Sequence, residues 1–363
     1  ERVEVLRGPQ AVLFGLNSTA GAISIHSKVN NPGDEFEARI TGEYEAEYEG
    51  GKGTLVVGGS PMDSLGLRLA LESGESGDGY IDNIYLGDQG DTESTVARLS
   101  VVWEPTDKLA ITAKYNYADY EVHGQTAEAT NRFASALDNG DGNLNWENTG
   151  RGELLPLLAP ISQHDLKKPG SEQEVGNFSL NADYALGEHT LTGIFGYSDY
   201  DYSLSTDLDG VAFDGAGLPG LSLDAMSYEE YDQTSGELRL TSPGGATFDY
   251  VTGIYYQDST LTSDQPNIQK LPPGVVLPTS NFYERGNNLF DQDATLWSAF
   301  VSVTWNMTDS FRLIGGGRYS DDDMDWSRSS ICEHSFDDGA NWSPAGFNTG
   351  ACAVASDQKG NVS

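Results

Sequence analysis

From residue 32 onward, one pattern repeats: apolar and polar side chains alternate in short runs along the chain. Alternation at period two puts successive side chains on opposite faces of a β-strand. In the first run, Phe36, Ala38, Ile40, Gly42, Tyr44 and Ala46 share one face, and Glu37, Arg39, Thr41, Glu43 and Glu45 the other. The next two runs, 54–60 and 65–73, flank Pro61-Met62-Asp63-Ser64. Leu65, Leu67, Leu69 and Leu71 then face one way, with Arg68 and Glu72 opposite. The same design returns at 96–104 with 109–120, 175–186 with 190–202, 235–242 with 248–258, and 295–306 with 311–320. About eleven strands are predicted.

Their connections alternate in length. Short turns rich in Pro, Gly, Asp and Ser close each pair, as tight turns require. Between pairs lie long polar stretches at 74–94, 121–173, 203–230, 259–292 and 321–363. Compact soluble domains rarely carry so many long loops. Outer-membrane barrels do, with short periplasmic turns and long extracellular loops. The runs also match the ~9–11 residues that a tilted strand needs to cross a bilayer. Trp103 and Trp305 precede short turns and Phe248 and Phe311 follow them, while Tyr44, Tyr115, Tyr117 and Tyr197 lie toward the long-loop ends. That is the arrangement of two aromatic girdles. The prediction is an all-β chain forming part of a transmembrane antiparallel β-barrel.

Composition narrows the alternatives. No stretch reaches the ~18 apolar residues of a spanning helix, which leaves barrels open because their hydropathy signal is weak. Aromatic residues at 10% are too many for a chain that stays unfolded. A net charge of -36 over 363 residues argues against a nucleic-acid partner. His26, His123, His164, His189 and His334 are scattered without metal-site spacing, and no catalytic or nucleotide-binding motif stands in a credible context. Neither an enzyme nor a cofactor is indicated. Asp138-Asn139-Gly140-Asp141-Gly142-Asn143 and Asp321-Asp322-Asp323 raise a calcium question. The first lacks EF-hand spacing, and solvated acidic surface is the plainer reading of both.

Residues 1–31 break the barrel pattern. Two short strands, 1–6 and 20–27, flank Arg7-Gly8-Pro9-Gln10 and a single helical turn at 11–15. The stretch ERVEVLRGPQAVLFGLNSTAGAISIHSK resembles the end of the plug domain of TonB-dependent outer-membrane receptors. Matching positions are Glu1, Arg2, Glu4, Arg7, Gly8, Pro9, Leu13, Phe14, Gly15, Gly21, Ile23, Ser24 and Ile25, while Ala20 departs from a more usual glycine. The resemblance implies a plug (1–31) followed by the first half of a barrel of about 22 strands (32–363). It implies a piece of a longer reading frame, with the TonB-contacting box and the later strands outside it. It implies active transport across the bacterial outer membrane, with TonB and outer-membrane lipid as partners and a ferric siderophore as the foremost cargo. Cobalamin, haem and oligosaccharides remain open, and the negative charge weakens simple steering of anionic chelates.

By the same resemblance, Arg7 holds the plug against barrel glutamates in the later strands. Gly8, Gly15 and Gly21 serve backbone geometry. Cys332 and Cys352 fall in one long extracellular stretch of an oxidising compartment, so a disulfide is expected, with free thiols or another partner as alternatives. Tyr200, Tyr202, Tyr228, Tyr231 and Trp146 are candidates to stack on a flat ligand, set against ordinary loop packing. A passive porin-like channel and a secreted acidic β-protein are the rival readings.

Overall fold

A computed structural model of the chain describes residues 2–8, 12, 21–47, 49–77, 79, 81–83, 87–124, 170–207, 222–271, 282–308, 310–336, 341, 343–344 and 356–362. It is all-β apart from helical Val12. A small hairpin of β1 (Arg2–Arg7) and β2 (Gly21–His26) comes first. The main sheet begins with β3 (Glu37–Glu45), β4 (Gly50–Met62) and β5 (Leu65–Glu75). A separate two-stranded hairpin, β6 (Ile81–Asn83) and β7 (Gly87–Gln89), interrupts it. The sheet resumes with β8 (Asp91–Thr106), β9 (Leu109–His123), β10 (Gly170–Leu186), β11 (His189–Asp207), β12 (Ser222–Thr241) and β13 (Phe248–Leu271). It ends with β14 (Phe282–Thr308), β15 (Phe311–Ser335), β16 (Ser343–Pro344) and β17 (Ser356–Val362).

From β3 to β15, each main-sheet strand pairs antiparallel with the next, and β16 and β17 add to β15. The sequence-based strands are all present, with one correction. Much of what reads as loop at 203–230, 259–292 and 321–363 is strand: β13, β14 and β15 run to 24, 27 and 25 residues. Above a membrane both faces of a strand meet water, so apolar alternation stops while backbone pairing continues. Pairing stays in step from Leu271↔Phe282 down to Phe248↔Trp305. Register shifts lie beside the short turns, at Gly59/Met62, Trp103/Thr106 and Asn306/Thr308. A bulge there adds twist where two strands must reverse.

Directly paired residues share a face, so the register sorts the two surfaces. One lateral row reads Glu37, Gly58, Arg68, Ser100, Lys114, Ser179. Arg68 and Ser100 in this row are buried. Three described residues upstream of β3 meet this same face: Asn30 meets β5, Ser27 meets β9, and Val12 meets β15 at Gly316. The row therefore belongs to the inner face.

The outer face carries exposed Leu69, Leu71, Leu99, Phe195, Leu238, Ile254 and Val301. At its short-turn edge stand Trp103, Trp305, Phe248 and Phe311, with Phe248 and Trp305 stacked at 5.7 Å. At the other edge stand Tyr115, Tyr197, Tyr256, Trp297 and Tyr319, with Trp297 and Tyr319 5.4 Å apart. Eight residues from Phe248 to Tyr256 span about 26 Å of strand, or ~20 Å of height at the usual tilt, close to the apolar band of such barrels. Beyond that edge the outer face turns acidic. The paired rows Asp119–Glu174–Asp201–Glu230 and Asp199–Asp232 follow one another around the sheet.

Candidate functional site

Two places gather the candidate side chains. The first is the β1–β2 hairpin and its exit. β1 and β2 pair from Arg2↔His26 to Arg7↔Gly21. Gly8 has φ 86° and Gly21 φ 148°, and a Cβ at Gly21 would lie 2.3 Å from the Leu6 carbonyl oxygen. Both glycines thus hold backbone conformations that other residues rarely adopt. Pro9 and Gly15 lie outside the described residues, as does most of the helical turn. Arg7 is exposed, and none of the described ion pairs includes it.

The second place is the inner wall above the apolar band. Tyr200 and Tyr202, two apart on β11, stack with centroids 6.1 Å apart and planes 9° from parallel. Tyr231 sits opposite Tyr200 on β12, and Glu229 opposite Tyr202. All share the inner face with Gly196 and Ser235 of the lower strands. Tyr228 has the opposite parity and faces outward, so the structure separates it from the other three. Trp146 lies outside the described residues.

Beside these tyrosines is a cavity of about 580 Å³, within the range of small-ligand sites. Phe290 and Trp326 supply its aromatic surface, Arg328 its cation, and Asn288, Gln292 and Gln265 its amides. Glu229 is the carboxylate that lines it. Sequence reading missed Trp326, Arg328 and Phe290. The signal was there: carrying the alternation of β15 past Ser320 puts Arg318, Trp326 and Arg328 on one face. β17 steadies this corner. Gly360 pairs with Trp326, and a Cβ on Gly360 would fall 2.5 Å from the indole, so the ring lies over bare backbone.

Above the cavity, β14 and β15 end in a buried cluster. Glu284 pairs with His334, Oε2 to Nε2 at 3.0 Å, and both are fully buried. Phe282 sets its ring edge-on to His334 at 4.8 Å. Outside, Arg285 Nε donates to Glu333 at 3.0 Å. Cys332, two residues before His334, is disulfide-bonded. The other cysteine, Cys352, lies outside the described residues. Among the described residues, Glu284, Cys332 and His334 come close enough to share an ion. A sulfur held in a disulfide is no thiolate ligand, so the trio is not a metal site in this oxidised state.

The acidic motifs also separate. Asp321, Asp322 and Asp323 are consecutive on β15, so their side chains alternate faces and do not converge on one cation. Residues 138–143 lie outside the described residues. At the tip of β8–β9, His123 Nδ1 meets Asp91 Oδ2 at 2.7 Å, and this hydrogen bond raises the imidazole pKa.

No protein-family profile matches the chain. Among curated proteins, it is 22% identical over 329 residues to the pesticin receptors of Yersinia enterocolitica and Yersinia pestis. That covers 89% of this chain and 41% of theirs, so the chain spans about two fifths of these relatives. Among solved structures, it resembles the ferric yersiniabactin uptake receptor FyuA of Y. pestis, with TM-score 0.59 and 19% identity over 99% of this chain and 48% of that one. It also resembles the open form of the ferric-catecholate import receptor Fiu of Escherichia coli K12, with TM-score 0.52 and 11% identity over 92% and 58%. The outer-membrane ferripyoverdine receptor of Pseudomonas aeruginosa, bound to ferripyoverdine, gives TM-score 0.51 and 12% identity over 93% and 51%. An antiparallel meander with two aromatic girdles, a hairpin whose exit crosses the inner wall, and these matches agree: the chain has the outer-membrane fold of the TonB-dependent receptors, over about half the length of the solved ones.

Proposed function

We propose that the chain is part of a receptor for TonB-driven uptake of a ferric siderophore. Residues 1–31 form the end of its plug and residues 32–363 the early barrel. The observation that carries this is the segment crossing the inner wall. Val12 against Gly316, Ser27 on Lys114 and Asn30 on Arg68 describe an occupied barrel, which a passive porin-like channel does not need. The wall cavity supports the cargo class. Trp326, Phe290 and the paired tyrosines offer faces to a flat chelate, and Arg328 offers a charge to its anionic groups. Related receptors carry names tied to siderophores. TonB, powered by the proton gradient, would act on the plug, and Arg7 would hold it to later strands.

The test is uptake by the intact receptor in an iron-starved strain stripped of other siderophore receptors. Radiolabelled iron should enter from at least one ferric siderophore, and a protonophore should stop it. Entry that persists without the gradient would mean a passive channel.

A further inference from the structure

The plug hairpin ends at His26 and the barrel begins at Glu37. The ten residues between are not slack. Asn30 is 96% buried, a degree of enclosure unusual for a polar residue between two elements. Arg68 Nη1 donates to Asn30 Oδ1 at 3.2 Å and also to Glu37 Oε1. Lys28 Nζ closes the other side of Glu37, 2.8 Å from Oε1 and 3.0 Å from Oε2. Further on, Asn31 N donates to Asp34 Oδ2 at 2.7 Å, Gly33 N to Ser60 Oγ at 2.8 Å, and Ser60 N to Asp34 O at 3.1 Å.

The wall is shaped to receive this segment. A Cβ on Gly58 would lie 2.2 Å from Asn30 Oδ1, and one on Gly66 2.1 Å from the Asn30 carbonyl oxygen. A Cβ on the neighbouring Gly59 would lie 2.9 Å from the Phe36 Cα, where β3 begins beside β4. Gly58 on β4 and Gly66 on β5 thus leave a trough in the inner wall, and Asn30 and Asn31 lie in it. Arg68 reaches across from the same face and ties the segment down at two points.

We infer that Arg68, with Glu37 and the Gly58–Gly66 trough, is a clamp that fixes the plug's exit to the barrel. Arg68 is a positioning residue: it sets where the movable part of the chain stops. A pull on the plug can displace residues up to about Ser27, where a single long contact to Lys114 at 3.4 Å offers little resistance. It is arrested at Asn30, where a buried amide, two charged partners and a fitted trough act together. The barrel strands are then spared the load. This rests on reading residues 1–31 as a plug.

The test is hydrogen–deuterium exchange on the purified intact receptor, comparing parent, Asn30→Ala, Arg68→Gln, their double variant and Gly66→Ala. Amides of 28–36 should exchange at least tenfold faster in each variant, while β4 and β5 keep their parent rates. The double variant should add little to Arg68→Gln, because one clamp is being removed twice. Asn30→Ala lies outside the wall, so it remains informative if an Arg68 variant misassembles. Unchanged exchange at 28–36, or additive effects, or loosening that spreads equally through β4 and β5, would overturn the clamp. The exchange readout needs no cargo and no TonB. Failure of the uptake test with fast-exchanging variants would count against the transport reading alone.

Discussion

On the proposed reading, cargo binding turns on Arg328 and Trp326, which combine a charge with a flat apolar face at one cavity. A hydrogen bond to a charged group contributes about 1.5–3 kcal/mol. Arg328→Ala should therefore weaken binding of an anionic chelate about ten- to a hundredfold, read by quenching of tryptophan fluorescence in the purified receptor, with Tyr228→Phe as an outward-facing control near parent affinity. His123 gives a second expectation. Asp91 raises its folded pKa above the ordinary value of 6.5. The contribution to local stability is thus complete below that value and lost as pH rises through the raised one. The side chain is 42% exposed, so the effect is small and local. Exchange at the end of β8 and β9 away from their turn, corrected for intrinsic rate, should speed up as pH rises above about 6.5 in the parent. His123→Gln should flatten that dependence. At this scale the sequence was partly legible. Tyr200, Tyr202 and Tyr231 were visible as aromatics of one stretch. That Tyr228 points away from them follows from parity, which needs a strand where the residues read as loop. Arg68 and Asn30 stand 38 positions apart and meet only through the pairing of β4 with β5, which no local pattern encodes.

The elements themselves were the most readable part. Alternation named the strands, and Pro, Gly and Asp named the turns, because a lipid face and a wet face impose opposite demands on neighbouring residues. The upper halves of β11 to β15 escaped because that contrast vanishes outside the membrane. Their stability comes from backbone pairing and from fastenings such as Glu284–His334, β17 on β15, and the Cys332 disulfide. If Cys352 is the partner, that bond closes a loop of about 20 residues, a constraint of about 3 kcal/mol on local order. Cys332→Ser should make 337–351 several-fold more sensitive to protease. The heat-modifiable migration of the barrel should not change, since the membrane band lies far below. Equal protease resistance would show that packing around Phe282 and Phe336, 5.3 Å apart, holds the segment without the covalent link.

As a whole, the molecule is a wall with an occupied interior. Its lower part faces lipid, its upper part faces water on both sides, and a short segment crosses the inside. The plug motif led to the expectation of a filled interior; Arg7 finds no ion-pair partner among the described residues. In the intact receptor, Arg7→Ala should raise leak conductance in planar bilayers, as a plug less firmly seated lets ions pass. Parent-level conductance would reduce Arg7 to a solvated side chain. The height of the wall has a separate consequence. Trp297 marks the upper girdle, and 15 residues of β14 rise from there to Phe282. At about 3.3 Å per residue and a tilt of roughly 40°, the rim stands ~40 Å above the lipid. The Debye length in physiological salt is about 8 Å. A molecule arriving at the rim is thus shielded from the head groups below and feels chiefly the receptor's own carboxylates. For an anionic chelate the approach is uphill until counterions intervene, so salt in the medium becomes an accelerator of capture.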